Sequence, residues 1–419
     1  MNSRIRTYHD PLHKSIEIDK TDPAEILVME LIDSPAFQRL RRIRQLGPAF
    51  LTFHGAESSR FTHSLGVFHI ARKALNKLEN LDPTFKQHRG LLYAASLLHD
   101  LGHGPLSHTG EEIFGIKHEE WSAHVIKEDL SIRNPLEKFQ EGLADQVSDI
   151  LLQSSNDSSP IKSIISSQLD CDRLDYLLRD SYSTGTSYGH LDLERILNAL
   201  TIAPDGDLAI NPKGLMAVEH YLIVRNLMYR SVYNHRINEV CNWILQKLIK
   251  TARQMGPKKI WADEIMSKWL WKIKEIDLEV FLENDDIRTG YHLSRWSKEA
   301  PEPLAELCKR FLNRNLLKAI NINDLSNEKK LEALSKARTL SSELDIDPDF
   351  TCGLRNQSQS GYHPYKGGLR LWDGKNLQAL EDSSPLVKSL IKPSGASWLI
   401  YPKEIDEAIK AYTYNLNNK

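Results

Sequence analysis

The stretch Leu92-Tyr-Ala-Ala-Ser-Leu-Leu-His-Asp-Leu-Gly-His-Gly-Pro-Leu-Ser-His108 joins an apolar run to a dense group of metal-binding side chains. The apolar run predicts a buried helix that ends at an adjacent histidine–aspartate pair, His99 and Asp100. Two glycines and a proline then break the helix, and the further histidines are His103 and His108. Imidazole and carboxylate groups together are typical ligands of a divalent metal. A polar helix C-terminus explains only one of the histidines, so the stretch predicts a metal site.

The size and composition of the chain fit a globular protein with a large core. From a length of 419 residues we predict two domains. Residues 1–255 are expected to form a catalytic core, and residues 256–419 a C-terminal α+β region that serves oligomerisation or regulation. A net charge of −2 provides no overall basic field for nucleic acid or anionic membranes. Four widely spaced cysteines, no signal-peptide pattern and no membrane-length apolar run predict a cytoplasmic protein.

Helical periodicity dominates the chain, so we predict a mainly α fold with a small β component. Two hairpins are expected, one over residues 4–19 with a turn near Asp10-Pro11 and one over residues 200–211 around a Pro-Asp-Gly turn. The predicted helices include 23–31, 90–99, 161–180, 214–255, 258–282, 303–340 and 404–414. Short strands are predicted over 369–371 and 397–401.

Two other segments carry candidate polar groups. Asp172, Tyr176 and Asp180 follow one another at helical spacing, so they share one face of a helix. His63 lies near the start of another predicted helix. Taken alone, a histidine at this position is more typical of a helix cap or a hydrogen-bonded core residue than of a metal ligand. The acidic face is also compatible with a solvent-facing surface. The pattern of residues leaves these alternatives open.

Read in order, His63, the pair His99-Asp100 and Asp172 resemble the signature of the HD-domain metal-dependent phosphohydrolases. The similarity is greatest to the dNTP triphosphohydrolases of that family, including the human enzyme with SAM and HD domains and its bacterial relatives. It spans roughly residues 6–240, through segments 37–47, 60–67, 99–108, 117–119, 170–180 and 225–235. The resemblance implies an HD-domain helical bundle in which these four residues hold a divalent metal, such as Mg, Mn, Fe or Zn.

The resemblance also implies roles for other side chains. The implied proton-transfer and phosphate-contacting group is His103, His108, Glu111 and His118, with Glu111 where the family typically has Asp. The implied triphosphate-binding residues are Arg60, Arg173 and Arg225. The implied sugar-hydroxyl contacts are Gln45, Tyr176 and Asp180, and the wall against base and sugar is Leu46 and Tyr233.

The implied reaction is hydrolysis of a deoxynucleoside triphosphate to a deoxynucleoside and inorganic triphosphate. A metal that lowers the pKa of water, arginines that neutralise phosphoryl charge and a histidine that protonates the sugar oxygen suit this chemistry. Three alternatives stay open: another HD phosphohydrolase such as a nucleotide phosphodiesterase or nuclease, a nucleotide sensor with an inactive site, and a nucleic-acid binder. The intact metal positions disfavour the sensor, and the net charge of −2 disfavours the nucleic-acid binder.

The resemblance also implies a separate regulatory site for a nucleotide. In the human family member, the matching positions bind an activating guanine nucleotide that assembles a tetramer, and here they are Arg6, Asp33, Gln38 and Arg41. Aspartate can accept from the guanine N1–H and N2 edge, and arginine can donate to O6 and N7. The plain alternative is that Asp33 and Arg41 form an ion pair on the surface with little energetic weight. The resemblance therefore implies a homo-oligomer, a tetramer or dimer, with a guanine-nucleotide activator.

Overall fold

The computed structural model describes residues 4–154, 159–359, 362–364, 368–392 and 394–417. Up to residue 255 its helices are α1 (Pro23–Asp33), α2 (Pro35–Arg39), α3 (Arg60–Leu81), α4 (Arg89–Leu98), α5 (His108–Phe114), α6 (His118–Glu128), α7 (Leu130–Phe139), α8 (Leu143–Leu151), α9 (Pro160–Ile165), α10 (Cys171–Thr184), α11 (Leu193–Asn198), α12 (Leu215–Met228) and α13 (Arg236–Met255). Beyond it they are α14 (Glu264–Trp271), α15 (Leu278–Leu282), α16 (Asp286–Glu299), α17 (Leu304–Leu312), α18 (Asn327–Glu343), α19 (Pro348–Thr351), α20 (Leu380–Ser383), α21 (Pro385–Ser389) and α22 (Asp406–Asn417).

The described strands form small sheets at the margins of this helical assembly. They are β1 (Ile5–Asp10), β2 (Lys14–Asp19), β3 (Leu200–Ile202), β4 (Leu208–Ile210), β5 (Lys318–Asn321), β6 (Gly353–Gln359), β7 (Arg370–Trp372), β8 (Leu377–Ala379) and β9 (Ser394–Tyr401). The strand orders are β1-β2, β3-β4-β7-β8 and β5-β9-β6, and β4 with β7 is the parallel pair. The expected mainly α fold and both predicted hairpins are confirmed.

Helix α4 is surrounded by other helices of the first 255 residues. Its side chains from Leu92 to Leu98 are almost wholly buried, and it packs against α1, α3 and α8. Each fully buried leucine on it contributes about 2 kcal/mol of hydrophobic free energy. Helix α10 packs across α3, so the ends of α3, α4 and α10 meet. The central packing therefore brings three distant segments of the chain to one place.

The main core does not end at residue 255. Buried side chains from both sides of that position form one continuous cluster, which includes Trp269, Phe281 and Trp296 from the later part. A smaller core lies between the β5-β9-β6 sheet and helices α18 and α22. The division of the chain at residue 255 stays a prediction. Among the residues that the structure describes, we find no helix with both the length and the apolarity that a bilayer crossing requires.

Four predicted helices are interrupted. The 161–180 segment breaks between α9 and α10, where Asp170 caps α10 by accepting from the Arg173 N–H at 2.8 Å. The 214–255 helix passes through a π-helical turn over Tyr229–Tyr233 and restarts with His235 as its cap. The 258–282 segment divides into α14 and α15, and 303–340 contains β5, which pairs with β9. Tertiary pairing and side-chain caps overrode the helical pattern at these points.

Candidate active site

The four predicted metal ligands lie together where α3, α4 and α10 meet. His63 is in the first turn of α3, His99 and Asp100 follow α4, and Asp172 is in the first turn of α10. The Nε2 atom of His63 lies 3.3 Å from Nε2 of His99 and 3.0 Å from Oδ1 of Asp172. The Asp100 carboxylate oxygens lie 3.5 Å from Nε2 of His63 and 3.4 Å from Nε2 of His99. His63, His99 and Asp172 thus offer ligand atoms close enough for a single ion, and Asp100 lies beside them with its Oδ2 atom bound to Arg60.

Hydrogen bonds on the far side of each ring orient both histidines. The Nδ1–H of His99 donates to the Ser96 carbonyl at 2.9 Å, and the Nδ1–H of His63 donates to Asp175 at 2.8 Å. In the neutral rings, both Nε2 atoms therefore carry lone pairs that face each other. The atoms that converge here are imidazole nitrogens and carboxylate oxygens, all able to act as ligands. This donor set fits a divalent cation.

The titration behaviour of this group agrees with a place for positive charge. Burial alone would lower the pKa of His63, but hydrogen bonds to Asp172 and Asp175 raise it to about 10. Burial opposes ionisation of Asp172, yet its contacts with His63 and His99 hold the pKa well below its usual value. Without a metal, a proton on His63 balances these carboxylates. A divalent ion would take the place of that proton.

A second group of side chains surrounds the Glu111 carboxylate. Its oxygens accept from Nδ1 of His118 and from Nδ1 of His108, the latter at 3.1 Å. The His103 ring is fully buried and stacks on the His118 ring, with centroids 4.1 Å apart. His108 is 68% exposed and faces outward. The loop after α4 and the first residues of α5 and α6 thus place three imidazoles around one carboxylate.

The histidines of this second group differ in charge. Burial alone would lower the pKa of His118, but its hydrogen bond to Glu111 raises it. Burial, together with the charges of Arg60 and His118, holds the pKa of His103 well below its usual value. Burial would raise the pKa of Glu111, but hydrogen bonds from His108 and His118 outweigh it and keep the carboxylate ionised. His118 is therefore the proton-carrying member, and His103 is neutral.

Both groups border one cavity of about 290 Å³. Its lining consists of Gln45, Arg60, His99, Asp100, His108, His118, Glu119, Leu151, Gln153, Ile165, Ser166, Asp170, Asp172, Arg173, Tyr176 and Tyr229. The volume lies near the lower end of the range for small-molecule sites. Nine of the sixteen sequence-predicted metal, catalytic and substrate-binding residues line it. The seven that do not are His63, His103, Glu111, Leu46, Asp180, Arg225 and Tyr233.

The three predicted phosphate-binding arginines are engaged to different degrees. Arg60 is buried and donates to Asp100 at 2.5 Å, and Arg173 pairs with the Asp170 carboxylate. Arg225 is 5% exposed, and its Nε and Nη1 find no acceptor among the described residues. Nε of Arg173 is likewise buried without a partner there. These N–H groups are suited to receive anionic oxygens.

The predicted sugar contacts also keep unpaired polar atoms. Oε1 of Gln45 and Oδ1 of Asp180 are buried and have no hydrogen-bond partner in the described part of the chain. The other Asp180 oxygen accepts from the Tyr233 hydroxyl at 2.9 Å, and burial raises the pKa of Asp180 to about 7. Tyr176 packs edge-on against Tyr233, with ring centroids 5.8 Å apart, and Leu46 is half-buried.

Comparison with known proteins assigns this arrangement to a family. Residues 60–180 match the HD domain, and residues 191–413, more than half of the chain, match the HD associated region. The uncharacterised protein YwfO of Bacillus subtilis is 34% identical over 415 residues, covering 96% of this chain and 93% of that protein. The chain belongs to the HD-domain family. The resemblance of the motifs around His99-Asp100 is confirmed.

Two further relatives place this HD-domain protein among phosphohydrolases. A crystal structure of a phosphohydrolase from Bacteroides thetaiotaomicron superposes with a TM-score of 0.83 at 26% identity, covering 95% of this chain and all of that one. The deoxynucleoside triphosphate triphosphohydrolase SAMHD1 of Gallus gallus is 27% identical over 287 residues. That match covers 59% of this chain and 45% of the relative, so the chain spans less than half of SAMHD1.

Several residues of the HD-domain site carried no recognised signal in the sequence. Asp175 orients His63, and its spacing of three from Asp172 on α10 was the available clue. Tyr229 lines the cavity and approaches the Tyr176 hydroxyl at 3.3 Å. Asp286, from the later part of the chain, accepts from the Leu106 N–H at 2.7 Å and so holds the histidine loop. Such long-range partners leave no local pattern.

The four predicted regulatory residues lie close together at the protein surface, in the segment that precedes the matched HD domain. Both Asp33 oxygens accept from Arg6, at 2.6 Å and 2.7 Å, and Asp33 is 56% exposed. Gln38 accepts from Nε of Arg41 at 2.7 Å and donates to the Ile32 carbonyl. The ion pair considered from the sequence therefore joins Asp33 to Arg6, whereas Arg41 stacks over the Phe61 ring at 3.5 Å.

Proposed function

We propose that this HD-domain phosphohydrolase cleaves deoxynucleoside triphosphates into a deoxynucleoside and inorganic triphosphate. The observation that supports this most is a set of unpaired buried polar atoms at and behind the cavity wall: those of Gln45 and Arg173, which line the cavity, and those of Arg225 and Asp180, which contact Tyr229 and Tyr233. Unpaired N–H groups of Arg173 and Arg225 suit phosphate oxygens, and unpaired oxygens of Gln45 and Asp180 suit sugar hydroxyls. A buried polar atom without a partner costs about 1–3 kcal/mol. A nucleotide that satisfies several of them together would recover that free energy.

The residues that would hold a divalent metal are His63, His99, Asp100 and Asp172. A divalent ion there would lower the pKa of a bound water and neutralise phosphate charge. Arg60 lines the cavity and also pairs with the Asp100 carboxylate. Its guanidinium would both fix that carboxylate and offer positive charge to a phosphoryl oxygen.

The Glu111–His118 pair is the proposed proton donor to the leaving sugar oxygen. Glu111 keeps a proton on His118, and His118 lines the cavity. His108 is the second cavity-lining imidazole that donates to the same carboxylate. The neutral His103 stacks on His118 and fixes its ring. Proton transfer from a positioned imidazole to an alkoxide leaving group is typical general-acid catalysis.

The preference for a 2′-deoxy sugar is proposed to come from aromatic crowding. Tyr176 and Tyr233 pack edge-on, and the Tyr233 hydroxyl is bound to Asp180. A side chain held in this way cannot easily retreat from an added 2′-hydroxyl. Leu46 is the apolar partner proposed on the opposite side. Substitution of Tyr233 by alanine should narrow the preference for dGTP over GTP while weakening binding of both.

Product analysis tests the proposed reaction. Purified protein would be incubated with each dNTP, singly and mixed, in the presence of Mg²⁺ or Mn²⁺, and the products separated by anion-exchange chromatography. Deoxynucleoside and inorganic triphosphate in equal amounts support the proposal. Pyrophosphate or nucleoside monophosphate would instead identify a different HD phosphohydrolase, such as a phosphodiesterase or nuclease. The name of the Gallus gallus relative supports the first outcome.

We further propose regulation by a guanine nucleotide at Arg6, Asp33, Gln38 and Arg41, in a cytoplasmic homo-oligomer. The four side chains lie near one another, and Arg41 also lines a cavity of about 440 Å³. A guanine base at this place would exchange the Arg6–Asp33 ion pair for its own contacts with Asp33. Measurement of dATP hydrolysis and native mass with and without GTP tests both parts of this proposal.

A further inference from the structure

We infer that the β1-β2 hairpin belongs to the metal site, with His13 as a positioning residue that acts through Asp175 on the metal ligand His63. The inference rests on the metal ligands of the proposed function and goes beyond it. It assigns a role in metal binding to a segment that lies more than 40 positions before the first ligand in the chain. His13 touches no proposed ligand itself, so its effect must pass through another side chain.

The Asp175 carboxylate receives hydrogen bonds from three side chains. Nε2 of His13 lies 2.6 Å from Oδ1, and Nδ1 of His63 lies 2.8 Å from Oδ2. Arg179 donates from Nε to Oδ2 at 2.7 Å and from Nη2 to Oδ1 at 3.1 Å. Asp175 is fully buried, and Arg179 and the two histidine rings engage both of its oxygens. The group is therefore a carboxylate that only accepts hydrogen bonds.

Arg179, which donates to Asp175, also binds Asp10 at the turn of the β1-β2 hairpin. Nη1 of Arg179 donates to Oδ2 of Asp10 at 2.8 Å. The other Asp10 oxygen accepts from the backbone N–H groups of Leu12 at 2.9 Å and His13 at 2.8 Å. Asp10, His13, Asp175 and Arg179 thus form a closed ring of contacts. The position of the His13 ring is fixed from the turn as well as from α10.

Gly66 shows how little freedom the Asp175 carboxylate has. A Cβ atom at this position would lie 1.9 Å from Oδ1 of Asp175 and 2.5 Å from Nη2 of Arg179. The carboxylate therefore passes directly over the glycine in α3, three residues after His63. Only a residue without a side chain permits that approach. The Asp175 carboxylate is therefore confined both by the backbone of α3 at Gly66 and by the ring of His13.

The physical consequence concerns the orientation of His63. With His13 in place, both Asp175 oxygens are fully engaged, so the one that binds His63 cannot rotate away. Loss of the His13 contact leaves Oδ1 with only the longer bond of 3.1 Å from Nη2 of Arg179, and this lets the carboxylate turn or draw in water. The Nδ1–H bond of His63 then loosens, and Nε2 is less firmly directed at the ion. Removal of such an orienting partner typically weakens metal affinity by about 10- to 100-fold.

Two amide substitutions that differ only in side-chain length test the role of His13. His13→Gln places an amide nitrogen near the position of Nε2 and can donate to Asp175, whereas the shorter His13→Asn cannot. The control is His9→Ala, an exposed histidine in the same hairpin. Mn²⁺ affinity would be measured on metal-stripped full-length protein by electron paramagnetic resonance of the free ion. Melting temperatures would be recorded with and without Mn²⁺.

We expect His13→Asn to bind Mn²⁺ about 10-fold more weakly, near the lower end of the range for orienting partners. His13→Gln should recover most of that loss, and His9→Ala should match the unsubstituted protein. The increase in melting temperature on adding Mn²⁺ should shrink in His13→Asn alone. A purely structural role would instead lower the melting temperature equally with and without the ion.

Equal Mn²⁺ affinity in His13→Asn and the unsubstituted protein would overturn the inference. The same holds if His13→Gln and His13→Asn lose affinity to the same extent, because reach would then not matter. Metal binding requires no nucleotide, so these results stand whatever the substrate proves to be. If the unsubstituted protein binds no Mn²⁺, the metal assignment within the proposed function fails as well.

Discussion

The candidate metal site and the predicted regulatory site differ in where their polar atoms find partners. Around the metal ligands, acceptor atoms of His63, His99 and Asp172 converge in a mostly buried place. In the regulatory group, Arg6 and Asp33 satisfy each other in a two-hydrogen-bond ion pair exposed to solvent. Both sites were inferred from the same family resemblance, yet their physical situations are opposite.

The difference separates a site that needs a ligand from one that is stable without it. In the buried site, His63 must hold a proton to balance the neighbouring carboxylates when no metal is bound, and the unpaired arginine N–H groups are costly without an acceptor. A solvent-exposed ion pair costs nothing when left alone and contributes about 0–1 kcal/mol. The buried site therefore carries its own physical argument for a ligand, whereas the exposed one depends on solution experiments. Substitutions in the two sites should accordingly have very different effects.

The largest effect is expected for Asp172→Ala. Removal of this ligand leaves His63 and His99 without the carboxylate that lies within 3.6 Å of both. Turnover should fall to background, and bound metal should fall with it, because an incomplete ligand set cannot hold the ion in geometry. Metal content by mass spectrometry and dNTP hydrolysis measure the two effects.

The control for that substitution is Asp145→Ala, a 72%-exposed carboxylate paired with Lys127. It should change neither metal content nor rate. If Asp172→Ala leaves metal content and turnover unchanged, the assignment of the metal ligands is wrong. The contrast between a buried metal site and an exposed regulatory site then fails as well.

The second effect distinguishes two buried arginines. Arg225 has unpaired N–H groups in the described structure, whereas Arg179 is bound to Asp10 and Asp175. Arg225→Met should lower kcat/KM by about 10- to 100-fold, the value of one charged hydrogen bond, without loss of unfolding free energy. Arg179→Met should destabilise the fold by about 3–5 kcal/mol, because it leaves two carboxylates buried without their partner.

Chemical denaturation and steady-state kinetics on both variants provide the measurement. If Arg225→Met destabilises the protein as much as Arg179→Met, Arg225 is a structural residue and is not held ready for a phosphate.

Local motifs made the buried site predictable to a large extent. The His99-Asp100 pair at the end of an apolar helix, and the spacing of Asp172, Tyr176 and Asp180 on one face, are sequence patterns with direct structural meaning. In the structure His99, Asp100, Asp172 and Tyr176 border one cavity, whereas Asp180 lies outside its lining. The three helices that meet here are long or strongly apolar, so their periodicity was easy to recognise.

Non-local contacts were not predictable from the same patterns. The link between His13 and Asp175 joins residues 162 positions apart, and no spacing rule relates them. The break before α10 depends on Asp170 acting as a cap, and β5 depends on pairing with β9. A helical pattern cannot foresee such competing partners, because they are supplied by other parts of the fold.

The third effect is a pH dependence of stability that comes from Asp180. Burial raises its pKa to about 7 from the usual 3.8, so the folded chain keeps a proton there that the unfolded chain releases. The resulting stability is present below about pH 4 and is lost as the pH rises through about 7, at up to about 1.4 kcal/mol per pH unit. Asp180→Asn cannot titrate and should lack this loss.

Urea unfolding of the unsubstituted protein and of Asp180→Asn at pH 5, 6, 7 and 8 measures this pH dependence of the unfolding free energy. Relative to the unsubstituted protein, Asp180→Asn should gain stability between pH 5 and 7 and then level off near pH 8. Groups that titrate in both proteins cancel in the difference. A difference that does not change with pH would show that the Asp180 carboxyl is ionised throughout and has a charged or polar partner.

The smallest effect on the fold, and the sharpest test of the exposed site, is expected for Asp33→Ala. The substitution removes an ion pair whose aspartate is more than half exposed, so the unfolding free energy should change by less than about 1 kcal/mol. Basal dATP hydrolysis should persist, because Asp33 is absent from the cavity lining. Activation by low GTP or dGTP should disappear, since the guanine edge loses its acceptor. Arg6→Ala breaks the same ion pair but keeps that acceptor, so it should retain guanine selectivity while requiring more activator. If the unsubstituted protein hydrolyses dATP at full rate alone, and guanine nucleotides change neither rate nor native mass, the regulatory proposal falls and the catalytic site stands without it.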